Sequence, residues 1–115
     1  MTTGGISVHA VDVAGGRPAL GLVVAIDALE PRRRRVAEGV IGPDGTLDHP
    51  LARGEGAVAG LHEVTFAVGA YYAGLGHDAG FLDTVPFRFR VADAAEHVHL
   101  PLKFTPFGYA LFRGL

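Results

Sequence analysis

Short runs of β-branched and aromatic residues, cut every few positions by glycine or proline, constrain this chain more than any other feature. Residues 85–91 alternate Phe87 and Phe89 with Arg88 and Arg90, the pattern of a strand with one wet face. Residues 61–68 set Leu61, Glu63 and Thr65 against His62, Val64 and Phe66. Residues 6–13 set Ile6, Val8 and Ala10 against Ser7, His9 and Val11. Period-2 runs between turn residues predict an all-β chain. The other predicted strands are 21–29, whose nearly unbroken apolar content implies burial on both faces, then 36–41, a short 46–48, 98–104 and 108–112. Turns are predicted at Gly15-Gly16-Arg17-Pro18 and Gly42-Pro43-Asp44-Gly45, and a loop at 54–60. Tyr71 to His77 is read as one or two helical turns before Asp78-Ala-Gly80. Pro101 inside its run predicts an edge or a bulge. The charged stretch Glu30-Pro-Arg-Arg-Arg-Arg35 reads as a solvated hairpin tip. About eight short strands in 115 residues predict one domain, 1–115, built as a two-sheet β-sandwich with one short helix.

Composition narrows the partners. The chain is 49% hydrophobic with mean hydropathy +0.29, so it is globular, with apolar surface available to bury against other subunits. A net charge of −2 argues against nucleic acid, whose phosphates need a basic face. The sequence contains no cysteine, which excludes disulfide and thiolate chemistry and fits a cytoplasmic location. Met1-Thr-Thr-Gly-Gly lacks a basic segment followed by an apolar one, so no signal peptide is expected. No apolar run approaches the length of a membrane span.

The histidines are the candidate chemistry. His97 and His99 stand two apart in a β-type run, so their side chains share a face. With His9 as a third nitrogen the set has ligand-like spacing, but no acidic or cysteine ligand falls in a matching motif. His49 reads as exposed, and His62 and His77 as surface or packing residues. Arg88 and Arg90 read as a solvated strand face from which one could supply a cation to a site. Arg113 is expected to pair with a carboxylate such as Asp12. Tyr71, Tyr72, Phe81, Phe87 and Phe89 are assigned to the core.

Ile6-Ser-Val-His9-Ala-Val-Asp12, Gly16-Arg-Pro18-Ala, Asp44-Gly45, Gly69-Ala-Tyr71-Tyr-Ala73 and Phe87-Arg-Phe run in an order that resembles the 5-hydroxyisourate hydrolases, the transthyretin-related enzymes. His97-Val-His99-Leu-Pro-Leu and Pro106-Phe-Gly-Tyr109 resemble that family's last two strands. The resemblance implies a transthyretin-like β-sandwich and a homotetramer, a dimer of dimers with active sites along a central channel. It also implies hydrolytic opening of a small heterocyclic ring by attack of water on a ring carbonyl, with no metal or organic cofactor. His9 and His99 fall at the family's catalytic positions as an acid/base pair. Thr46, His97, Phe112, Arg113 and Leu115 fall at substrate-binding positions, with His97 assigned to orienting a neighbour. Three of these depart from the family: Thr46 stands for an arginine, Phe112 for a tyrosine and Leu115 for a serine. Each change removes a charge or a hydrogen-bond donor, and Phe112 and Leu115 make the pocket more apolar. The resemblance therefore implies a hydrolase for 5-hydroxyisourate or for a less polar, for example methylated, relative. The alternatives are a non-catalytic small-ligand binding protein in the manner of transthyretin, which lacks the histidine pair, or a family member recruited to another reaction in a biosynthetic pathway.

Overall fold

The computed structural model describes residues 4–77 and 80–115. Among them run strands β1 (Gly5–Asp12), β2 (Arg17–Pro18), β3 (Val23–Ala28), β4 (Arg34–Val40), β5 (Gly60–Ala67), β6 (Thr84–Val91), β7 (His97–Thr105) and β8 (Gly108–Leu111). A 3-10 turn covers Pro50–Arg53, and one helix, α1, covers Val68–Gly74. The strands form two four-stranded sheets, ordered β2-β1-β7-β8 and β4-β3-β5-β6. All pairings are antiparallel except β1 with β7, which is parallel.

The alternation in the sequence becomes the two faces of each sheet. On β1 and β7 the inward positions are Ile6, Val8, Val98, Leu100, Leu102 and Phe104, all buried. They pack against the inward faces of β3 and β5, where Ile26, Val64 and Phe66 are fully covered. Removing water from these side chains is the main drive to close the sandwich, at about 25 cal/mol per Å² of apolar surface. The opposite face of the first sheet carries Ser7, His9, His97 and His99 and is left for other use.

Helix α1 ties the two sheets together. It follows β5 directly and buries Val68, Tyr71 and Tyr72, the spacing of one helical face. Both tyrosines meet Phe104 of β7 edge to face. Their hydroxyls donate to Asp12 at the end of β1, Tyr72 at 2.7 Å and Tyr71 at 3.0 Å. Asp12 is fully buried, also accepts from the Gly15 N–H at 2.9 Å, and has the Arg17 guanidinium 3.6 Å away. Burial alone would push its carboxyl up. The hydrogen bonds from Tyr72, Gly15 and Tyr71, with the charge of Arg17, outweigh that and hold it below the usual carboxylate range.

Several sequence expectations change. The stretch at 46–48 is not a strand; Thr46 and Leu47 make only isolated bridges, to His9 and Ile41. β3 is shorter than 21–29; Val24, Ile26, Asp27 and Ala28 are buried while Val23 is half-exposed, and the outward Asp27 is covered by arginine side chains rather than by apolar packing. The arginine run is not wholly solvated. Arg33 and Arg35 reach back to Asp27, and Arg33 also reaches Glu63, because the hairpin twists its tip over the outer face of β3 and β5. Arg17–Pro18 pairs with β1 as a short strand rather than serving only as a turn. The helix starts three residues before Tyr71; the first two residues of the turn read at Asp78-Ala-Gly80 lie outside the described residues. Phe81 is 70% exposed, beside Phe107, and is not core. Pro101 lies on an interior strand, not an edge. It is tolerated because the β7–β8 ladder begins only at Leu102, so the missing N–H falls in a gap.

Substituting Asp12 tests the tie between the sheets. Asp12→Ala leaves two buried hydroxyls without an acceptor and should cost roughly 3 kcal/mol in chemical denaturation. The folded pKa of Asp12 is lowered, so its contribution is complete above the unfolded value of about 3.9 and is lost as pH falls through the lower folded one. An acid-unfolding titration should show a step in that range that Asp12→Asn lacks.

Candidate active site

The parallel pairing of β1 with β7 assembles the site. Its register sets Ser7 opposite His99 and His9 opposite Pro101, so His9 and His99 are diagonal neighbours on one face. Residues 92 positions apart in the chain are thereby brought into hydrogen-bond contact. Ser7 Oγ lies 2.7 Å from Nδ1 of His99 and 2.8 Å from Nε2 of His97. The Nδ1–H of His97 donates to the Gly4 carbonyl at 2.9 Å.

Each of the two half-buried rings rests on a glycine. At the Asp44-Gly45 turn Gly45 has φ 86°, a left-handed conformation that favours glycine. A Cβ there would come within 2.7 Å of His9 Nε2. The turn is pinned to β1 by the Ala10 N–H donating to the Gly45 carbonyl and by the His9–Thr46 bridge. On the other side the Gly114 N–H donates to the His99 carbonyl at 2.8 Å. A Cβ on Gly114 would lie 2.9 Å from Cδ2 of the His99 ring. That bridge continues the β7–β8 register past the gap at Pro101 and places Phe112 on the histidine face.

The environment favours an uncharged His99. Burial lowers its pKa below the usual histidine value, and the neighbouring His9 and His97 lower it further. Asp44 is held below its usual range by hydrogen bonds from the backbone N–H and hydroxyl of Thr46, with a smaller contribution from the charge of His9.

The other sequence candidates are placed as follows. Thr46 spends its hydroxyl on Asp44 at 2.8 Å. Phe112 is half-exposed and Leu115 fully exposed. Arg113 pairs with Glu96 at 3.2 Å and not with Asp12, whose acceptors are taken by the two tyrosines and Gly15. Arg88 and Arg90 are bound to Glu63 and Glu30 on the other sheet, so neither supplies a cation here. His49 is not simply exposed; its Nδ1 accepts from the Leu51 N–H and caps the 3-10 turn. His62 is buried and stacks on Phe89.

Beside Ser7 and Thr46 opens a cleft of about 600 Å³, also lined by Asp44, Asp48 and Arg53. Neither His9 nor His99 lines this cleft; it adjoins the histidine face through Ser7 and Thr46, whose partners in the pairing are His99 and His9. Arg53 is a cation that sequence reasoning missed. It ends the 3-10 turn packed against β1 and, among the described residues, pairs only with the exposed Asp48, at 3.3 Å. No local pattern marks it, since its place depends on where that turn docks. Among the described residues no group of three or more histidine, aspartate or glutamate side chains is disposed to hold a metal ion.

The sequence profile of the HIUase/Transthyretin family matches residues 6–114. The chain belongs to the HIUase/Transthyretin family. Its similarity to 5-hydroxyisourate hydrolase 2 of Rhizobium meliloti (strain 1021) is 40% identity over 116 residues, covering 97% of each chain. The structure of Klebsiella pneumoniae 5-hydroxyisourate hydrolase superposes with TM-score 0.81 at 25% identity, over 100% of this chain and 96% of that one. A crystal structure of (S)-allantoin synthase superposes with TM-score 0.86 at 32% identity, over 97% of this chain. This chain spans 44% of the length of that protein. The transthyretin-like sandwich expected from the sequence is thus the fold of this family member, and its relatives are named as hydrolases.

The glycine seats are testable apart from any activity. Gly114 does not have a positive φ, so Gly114→Ala keeps an allowed backbone, but its Cβ would meet the His99 ring at 2.9 Å and Pro101 at 3.2 Å, and the melting temperature should fall. Its methyl group should displace the His99 ring, read as a shift of the His99 imidazole resonances with those of His62 unmoved.

Proposed function

We propose that this chain is a hydrolase that opens the ring of 5-hydroxyisourate or of a less polar, for example methylated, relative. The observation that carries the reading is the shared face of His9 and His99, diagonal neighbours in the β1–β7 register. In the proposed reaction one histidine takes a proton from water as its oxygen bonds to the ring carbonyl carbon. The tetrahedral intermediate then collapses, the C–N bond breaks, and the nitrogen leaves with a proton from the histidine pair. Histidine suits both roles because its ordinary pKa lies near neutrality. The names of the relatives support this reaction class, and the (S)-allantoin synthase likeness supports a place in purine-ring breakdown.

The altered substrate rests on Thr46, Phe112 and Leu115. Thr46 is occupied by Asp44, and Phe112 offers an apolar ring on the histidine face. Arg53 is the cation nearest in position to serve the cleft. The exposed Leu20, Val40, Phe107 and Tyr109 support self-association, read here as the family's homotetramer in the cytoplasm. Such an assembly would close the open face of the site against a second subunit. Among the described residues no helix is long and apolar enough to cross a membrane.

The test is turnover of freshly prepared 5-hydroxyisourate beside its N-methylated analogues. His9→Ala and His99→Ala should each lower kcat by about 10²–10⁴-fold, the usual worth of positioned acid–base catalysis. Thr46→Arg should move preference toward the unmethylated ring. Unchanged turnover in His9→Ala would remove the acid/base assignment, and an unchanged preference in Thr46→Arg would remove the altered-substrate reading.

A further inference from the structure

The hydrogen-bond chain behind His99 has only one consistent direction when both rings are uncharged. A carbonyl oxygen can only accept, so the Gly4 carbonyl requires the hydrogen of His97 on Nδ1. The Nε2 of His97 is then bare and accepts the hydroxyl hydrogen of Ser7. That hydroxyl has a single hydrogen, so toward His99 its oxygen must accept. The 2.7 Å contact therefore requires a hydrogen on Nδ1 of His99. An uncharged imidazole carries one hydrogen, which leaves Nε2 of His99 as a lone-pair nitrogen. Among the described residues this Nε2 has no protein partner, and no buried side-chain nitrogen or oxygen lacks one, so Nε2 reaches the solvent side of the face.

We infer that Ser7 and His97 are positioning residues that hold His99 as its Nδ1–H tautomer, making Nε2 of His99 the base that takes the proton from water. The inference rests on the proposed hydrolysis for its catalytic meaning, but the tautomer itself does not. His9 then takes the complementary role of donating to the leaving nitrogen. Burial of His99 lowers its pKa, which favours the uncharged ring that a base must be before the reaction. The backbone anchor also accounts for the His-x-His spacing. His97 lies opposite Gly5, one residue past the Gly4 carbonyl that fixes its ring. Ser7, two residues further along β1, sits between the two imidazoles. A shift of β1 against β7 by one residue would put Ser7 on the other face and break every link.

Long-range ¹H–¹⁵N correlation of the imidazole rings in the intact protein reads the tautomer directly. The wild-type protein near neutral pH should show a protonated Nδ1 and a bare Nε2 for His99. Ser7→Ala should lose that preference, and Ser7→Thr, which keeps the hydroxyl, should retain it. A wild-type His99 with its hydrogen on Nε2, or a Ser7→Ala spectrum with the tautomer unchanged, overturns the inference. Kinetics supply the second readout on whichever ring substrate is turned over. Ser7→Ala should lower kcat by about 10²-fold with KM nearly unchanged, and Ser7→Thr should restore most of it. A Ser7→Ala enzyme with wild-type kcat also overturns the inference. If no ring substrate is turned over, the proposed hydrolysis falls while the tautomer result stands by itself.

Discussion

Everything distinctive in this molecule depends on the parallel contact between β1 and β7. A parallel pair cannot be closed by a tight turn, so it needs a long crossover. Here most of the chain is that crossover, including the entire second sheet. The contact does two things at once. Its inward residues complete the core, where Val8, Leu100, Leu102 and Phe104 are buried. Its outward residues place Ser7, His9, His97 and His99 in one register on one face. A register error would therefore remove the site and expose the core together.

The supports of the site are separated from the site by the thickness of the sheet. Asp12, Tyr71 and Tyr72 fasten the end of β1 from the buried side, with both carboxylate oxygens hydrogen-bonded. The outward face is held by backbone instead. The Gly45 carbonyl takes the Ala10 N–H, and the Gly114 N–H meets the His99 carbonyl. Glycine is needed at both contacts because each lies under an imidazole ring. The outer histidines thus stay partly open to a ligand while backbone hydrogen bonds hold their strands from both sides.

Much of this was legible in the sequence, and the rest was not for definite reasons. Alternation revealed the two faces of β1, β5, β6 and β7, because the period of a strand is a local property. The resemblance at the two ends of the chain brought forward His9 and His99. The pairing that unites them left no local mark, since nothing in Ile6-Ser-Val-His9 names a partner 90 positions away. Arg113 finds a carboxylate as expected, but it is Glu96 and not Asp12, and Arg17 lies beside Asp12 instead, because the folding back of β2 on β1 leaves no local mark. Phe81 read as core because hydrophobicity does not reveal exposure, and Arg53 read as nothing because its value lies in the docking of a four-residue 3-10 turn. Pro101 followed a sound rule about edges, but the gap that accommodates it is set by where β8 ends.

The central claim is that His9 and His99 work as one unit across the β1–β7 contact. The most direct measurement is a double-mutant cycle on kcat with His9→Ala, His99→Ala and the combined variant. Groups that act as a unit are strongly non-additive. The combined variant should be about as slow as the slower single variant. Rate losses that simply multiply would show two histidines acting independently and contradict the claim.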